Sequence, residues 1–278
     1  MVGRTTELER IKWLLLEDNS EERLVVPIVG MAGIGNTTFA RSLYQDPLVK
    51  SHFDVLAWTT VSTSATYDIR RMLRELLLCI DPKQKEFIHQ VNDDLPDLVH
   101  KGLLGRRYLI VLDDIWDSNH WEEIKRSFPE DPTGSRILLT SRHAEVSMHA
   151  RSYNNCSLNL PFFNSEESWD LFLQKIHLAR LGSEVQAIWR HIVNYFKGFP
   201  FAIVIAARLA QTIIINESVW ISKEIERIFY ERMCYEFVEG ISKILILSYN
   251  NLPNFLKIYF LYLGIFPEGS TIPVKKTY

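Results

Sequence analysis

The stretch Val25-Val26-Pro27-Ile28-Val29-Gly30-Met31-Ala32-Gly33-Ile34-Gly35-Asn36-Thr37-Thr38-Phe39-Ala40 decides the fold. Its opening run is apolar and rich in β-branched residues, the pattern of a buried parallel strand. Gly30, Gly33 and Gly35 then break it, and a helical pattern follows with Phe39, Leu43 and Tyr44 on one side. Strand, glycine loop and helix in that order form a phosphate cradle: glycines let backbone N–H groups turn inward, and the helix N-terminus adds partial positive charge. The template is G-x-x-x-x-G-K-[ST]. Here Gly30 and Gly35 are correctly spaced and Thr37 is in place, but Asn36 stands where the template has its lysine. A glycine-rich turn with no ligand is the bland alternative. A dinucleotide fingerprint fits worse, because the glycine order is G-x-x-G-x-G.

Working outward, the chain of 278 residues has room for two domains, or one large domain with a satellite. Apolar residues make up 47% and charged residues 23%, an ordinary globular composition, and the net charge of −3 gives no general attraction to nucleic acid or an anionic membrane. Cys79, Cys156 and Cys234 are too scattered for a metal site or a disulfide framework, which fits reduced thiols and a cytoplasmic location. The start is charged, without a signal peptide, and no apolar run reads as a membrane span. The end, Lys275-Lys276-Thr277-Tyr278, has no closing element, so the chain reads as part of a longer protein.

Helical spacing covers 5–17, strand patterns fall at 23–29 and 53–62, and a helical stripe runs through Ile69, Met72, Leu73, Leu76, Leu77 and Ile80. Residues 83–107 read as a polar helical stretch. Further strands fall at 108–112, 135–140 and, as a candidate fifth, 156–160, with a short helix around Trp121 and Ile124. Alternating strands and helices predict an α/β domain over 1–160, a parallel sheet covered by helices on both faces. After Pro161 the pattern turns helical: Asn164 and Glu167 form a helix-start signature, and Gly198 a C-cap. A helical bundle is expected over 161–235, including 218–230, and a further helical unit over 236–278.

Two carboxylates, Asp113 and Asp114, close the apolar strand Tyr108-Leu109-Ile110-Val111-Leu112. Beside a phosphate loop, such a strand places an acid at the metal of a metal–nucleotide complex. Asp113 would hold Mg²⁺ through water, and Asp114 could polarise an attacking water. Taken alone, Asp-Asp is simply a common strand end. Arg142 directly follows a strand and would face terminal phosphates; taken alone it reads as a solvated arginine. No cation adjacent to Asn36 replaces the missing lysine, and no histidine pair has ligand spacing.

Together these motifs resemble the nucleotide-binding (NB-ARC) region of plant disease-resistance proteins with leucine-rich repeats, within the signal-transducing P-loop ATPases. The likeness runs over nearly the whole chain. Val2-Gly3-Arg4 with Glu7 is similar to the family's opening, adenine-contacting motif; 30–38 to its phosphate loop; the block around Trp58 to its next motif. LIVLDDIW (109–116) resembles its metal-binding strand, GSRILLTSR (134–142) its sensor block, and GFPFA (198–202) its GLPLA motif, whose proline, here Pro200, packs near the adenine. The segment from Leu247 to Glu268 resembles the opening of a winged-helix subdomain.

The resemblance implies an ADP/ATP switch, with ADP holding a closed form and ATP an open, self-associating one. It assigns nucleotide contacts to Val2, Arg4, Gly30, Met31, Ala32, Gly33, Ile34, Gly35, Asn36, Thr37, Thr38, Arg142 and Pro200, with metal contacts at Thr37 and Asp113 and water orientation at Asp114. It implies partners outside this chain: an N-terminal signalling domain and the leucine-rich repeats. The chain departs from the family at Asn36, at Tyr259 where cysteine is usual, and at Phe199 and Phe201. An uncharged Asn36 leads to the expectation of weakened or ADP-biased binding with little hydrolysis. A working ATPase and a nucleotide-free interaction domain or decayed copy stay open, since one base change separates Lys from Asn codons.

Overall fold

The computed structural model describes residues 2–16, 21–61, 69–82, 95–152, 156–176, 183–215, 257 and 261–262. The chain divides into two compact units, one built on Thr5–Leu160 and the other on Val2–Arg4 and Pro161–Ile265. The expected helix over 218–230 and the expected winged-helix motif lie outside the described residues, apart from the isolated positions just named.

The first unit is a five-stranded sheet in the order β2-β3-β4-β1-β5, formed by β1 (Leu24–Val29), β2 (Val55–Thr60), β3 (Tyr108–Ile115), β4 (Arg136–Ser141) and β5 (Leu158–Asn159). Every pairing is parallel. Burial explains the sequence patterns: β1 and β4 are buried at every position, whereas the edge strand β2 alternates buried with more exposed residues. Pro27 is tolerated inside β1 for a local reason. The Val25 N–H turns toward the β5 side, where it bonds Ser152 Oγ at 2.8 Å, and β5 pairs only from Ile28 onward. Pro27, two residues on, faces that same side, so its missing N–H removes no ladder bond.

Helices α1 (Thr5–Leu16), α2 (Asn36–Gln45) and α3 (Pro47–His52) come early in the chain; α4 (Ile69–Ile80) and α5 (Leu95–Leu103) precede β3; α6 (Ser118–Ile124) and α7 (Ala144–Ala150) follow β3 and β4. Helices α4, α5 and α6 place Leu76, Val99 and Trp121 in one core cluster with Tyr108, Ile110 and Ile137 of the sheet. Phe39 and Leu43 of α2 and Ile11 and Leu15 of α1 are fully or almost fully buried outside that cluster. Periodicity does not reveal α3 and α7, because six or seven residues hold under two turns. Local capping makes up for length in α3: the Asp46 carboxylate accepts from the Leu48 and Val49 N–H groups, and Pro47 opens the first turn. The fifth strand is shorter than expected, two residues, and the helix expected over 83–107 is described only from Leu95 to Leu103.

The second unit contains α8 (Ser165–Ile176), α9 (Ser183–Tyr195) and α10 (Pro200–Ile215). Its core is an aromatic stack: Trp169 on Phe172 at 5.1 Å and Phe172 on Trp189 at 5.6 Å between centroids. The helix-start signature closes as a reciprocal pair, with Glu167 N–H donating to Asn164 Oδ1 at 2.9 Å and Asn164 N–H donating to Glu167 Oε2 at 3.0 Å. Asn164→Ala is expected to lower unfolding stability by about 1 kcal/mol in urea titration, and an unchanged midpoint would show the cap to be idle. Among the described residues no helix is long and apolar enough to cross a membrane.

Candidate functional site

The loop between β1 and α2 is shaped by Gly35, which caps α2 at φ 105°, a left-handed conformation that a side chain resists. No side chain caps α2 there, and Met31, Ala32 and Gly33 are exposed. The start of a ten-residue helix thus opens onto a loop with no side-chain cap hydrogen bond at its N-terminus, an arrangement that suits an anion.

Asn36 takes a definite position. Its Nδ2 donates to Gly30 O at 2.7 Å and Ser141 O at 3.0 Å, and its Oδ1 is buried without a hydrogen-bond partner. Ser141 O also accepts the Gly30 N–H at 3.2 Å. The amide therefore ties the loop to the end of β4 and commits both its hydrogens to backbone.

Thr37 Oγ1 donates to Asp113 Oδ1 at 2.9 Å, and Thr140 Oγ1 donates to the same oxygen at 2.6 Å. The acid pair does not sit beyond the strand, as its sequence suggests; β3 continues through it to Ile115. Leu112 pairs with Leu139 but Ile115 with Ser141, so one extra residue bulges out of β3. Asp114 takes up the bulge at φ 61°, held by its N–H on Thr140 Oγ1 at 2.8 Å. Thr140, on the neighbouring strand, thus serves both acids: its hydroxyl donates to one and accepts from the backbone of the other. Sequence reading missed it, since no motif spacing marks a cross-strand partner.

Asp113 is 5% exposed, and burial pushes its carboxyl above the ordinary carboxylate range; the Asp114 charge adds to this, while the Thr140 and Thr37 hydroxyls and the Arg41 charge oppose it. Arg41 is the cation that sequence reading overlooked. It lies one turn after Thr37 on α2 and places its guanidinium 5.4 Å from the Trp58 ring centroid. A carboxyl with a raised folded pKa binds more protons folded than unfolded. Its stabilising contribution is full below the unfolded value of about 4 and lost as pH rises through the folded value. Without metal or nucleotide, the stability difference between the natural protein and Asp113→Asn is therefore expected to shrink as pH climbs through that window. A difference independent of pH in thermal unfolding would contradict this.

Asp114 Oδ2 accepts from Arg142 Nη2 at 3.2 Å and from Trp116 Nε1 at 3.2 Å. The loop, Asn36, Thr37, Asp113, Asp114 and Arg142 are thereby linked into one cluster by hydrogen bonds. Val2, Arg4 and Pro200 belong to the second unit. There Arg4 is 2% exposed, bonded through its N–H to Glu167 Oε1 at 2.7 Å and through Nη2 to Pro161 O at 3.0 Å, with its guanidinium 4.6 Å from the Phe163 ring centroid. Pro200 is buried at the first turn of α10.

The donors suit magnesium with a nucleotide. Thr37 and Asp113 offer hard oxygens within 2.9 Å of each other. Among the described residues no group of three or more His, Cys, Asp or Glu could hold a metal unaided, so water and phosphate oxygens would complete the shell.

Comparison with known proteins agrees with this geometry. Residues 4–182 match the family model described as "NB-ARC domain". The chain is 34% identical over 286 residues to disease resistance RPP8-like protein 3 of Arabidopsis thaliana, covering 100% of this chain and 31% of that protein. It is 30% identical over 282 residues to disease resistance protein RPP13 of the same plant, covering 99% and 33%. The chain thus spans about a third of the length of the curated relatives it matches. Among solved structures, a signal-transduction ATPase with numerous domains and a tetratricopeptide repeat sensor, from Pyrococcus horikoshii, shares the fold at TM-score 0.58 and 19% identity, over 96% of this chain and 35% of that one. The glycine loop, the bulged acid pair and the match over 4–182 lead to one conclusion: the chain belongs to the NB-ARC family.

Proposed function

We propose that the 30–38 loop binds ADP or ATP with Mg²⁺ and that the chain is the nucleotide switch of a plant immune receptor. The main support is the Thr37–Asp113–Thr140 oxygen cluster at the mouth of the Gly35 loop. Backbone N–H groups of the loop and the first turn of α2 would hold the phosphates. Thr37 and Asp113 would hold the ion, whose bound charge offsets that of the phosphates. Val2, Arg4 and Pro200 are assigned to the base on the family resemblance alone. Hydrolysis is expected to be weak, because Asn36 carries no charge and Asp114 Oδ2 is already engaged by two donors.

The proposal extends to the whole protein: a cytoplasmic receptor in defence against disease, with an N-terminal signalling domain, leucine-rich repeats and self-association on activation. The names of the relatives support the disease-resistance part. A nucleotide-free interaction domain is the second reading, favoured by the commitment of the Asn36 amide to loop carbonyls. Purified protein should release bound ADP on acid extraction and chromatography, with slow ATP turnover. No extractable nucleotide together with no uptake of added ADP would favour the second reading, and rapid turnover would favour a working ATPase.

A further inference from the structure

We propose that Trp116 is a positioning residue which, with Asp114, clasps the Arg142 guanidinium and so sets the preference of the site for a nucleoside diphosphate over a triphosphate. The inference rests on the reading of 30–38 as a phosphate site.

Three contacts form the clasp. Arg142 Nη2 lies 3.2 Å from Asp114 Oδ2, the Arg142 guanidinium carbon lies 4.6 Å from the Trp116 ring centroid, and Trp116 Nε1 donates to the same Asp114 oxygen at 3.2 Å. Trp116 therefore holds both partners of the ion pair, one by its ring face and one by its N–H. The backbone on either side is fixed. Ser141 Oγ donates to Ile115 O at 2.7 Å and accepts from His143 N at 3.0 Å, and the His143 ring lies 5.7 Å from that of Trp116. Ile115 lies between Asp114 and Trp116, and His143 follows Arg142, so the clasp stands on a rigid base. At the bulge Asp114 gives its backbone N–H to Thr140 and its Oδ2 to the clasp.

Side chains of Arg142 and Asp114 are 30% and 29% exposed, so the pair is solvent-screened and can be opened. A ligand shifts such an equilibrium only through differential interaction with its two states. A third phosphate would draw Arg142 off Asp114 and Trp116, and its binding is weakened by what the clasp holds. A diphosphate lacks that group and leaves the clasp shut. The same displacement would remove one of the two donors on Asp114 Oδ2 and leave that of Trp116 in place.

Calorimetric titration of ADP-Mg²⁺ and ATP-Mg²⁺ tests this. Trp116 is only partly buried and lies after β3, so Trp116→Leu removes no core packing. It is expected to tighten ATP about three- to tenfold relative to ADP while ADP stays unchanged. Trp116→Phe keeps a ring face and should give an intermediate shift. With Arg142→Gln as background, Trp116→Leu should leave the ATP/ADP ratio where Arg142→Gln alone puts it. ADP binding with an unchanged ratio in Trp116→Leu overturns the clasp alone, as does an equal shift in the Arg142→Gln background. A natural protein that takes up no ADP overturns the phosphate-site reading and the clasp with it.

Discussion

Asn36→Lys is expected to tighten ADP-Mg²⁺ binding about ten- to hundredfold, the effect of adding one charge-assisted hydrogen bond of about 1.5–3 kcal/mol. The amide of Asn36 is too short to do what a lysine does here. Both its hydrogens bond backbone carbonyls at 2.7 and 3.0 Å, and its oxygen is buried without a partner, an arrangement that shapes the loop but offers a phosphate nothing. A lysine stem from the same backbone position extends past those carbonyls, and its ammonium adds the charge that the α2 N-terminus supplies only in part. Fluorescence competition with a labelled ADP would measure the change. Equal affinities for the natural protein and the lysine variant would mean that position 36 does not face the phosphates.

Gly198→Ala is expected to destabilise the second unit by about 4 kcal/mol or more, at the extreme of single substitutions. Gly198 has φ 79°, and a β-carbon there would lie 1.9 Å from Phe163 O and 2.7 Å from Phe163 N. Both are backbone atoms, and Phe163 N–H itself donates to Gly198 O at 3.0 Å, so neither can turn aside without breaking that bond. Left-handed strain adds to the clash. A loss of that size is comparable to the whole stability of many domains. Urea unfolding followed by tryptophan fluorescence would register it, since Trp169 and Trp189 lie in the core of that unit. A loss below about 1 kcal/mol would show that the chain can move there at little cost.

Gly198 also shows how far the sequence could be read. A break after the helical stripe was visible at Gly198, although the helix ends earlier, at Tyr195, and its close approach to Phe163 was not visible, because the partner lies on another segment. The same division runs through the candidate site. β1, the loop and α2 were legible because β-branched residues, spaced glycines and an amphipathic stripe are local signals. Thr37 and Asp113 were singled out by motif order, and the Thr37 hydroxyl donates to Asp113 Oδ1 at 2.9 Å. The bulge that separates Asp113 from Asp114 was not legible: it depends on register against β4 and on Thr140, whose side chain is ordinary in a strand. Trp116 read as the end of a motif, and Arg41 carried no sequence signal. Their roles come from what the folded sheet edge and α2 bring near them, Arg142 in one case and Asp113 in the other.

Direct titration of the natural, Asn36-bearing protein with ADP in the presence of Mg²⁺ bears most closely on the claim that a backbone cradle without its lysine still holds a diphosphate. Saturable one-to-one binding that is lost in Asp113→Ala and weakened without Mg²⁺ is the predicted result. No heat of binding and no rise in melting temperature at millimolar ADP, from protein shown to be folded, would contradict it.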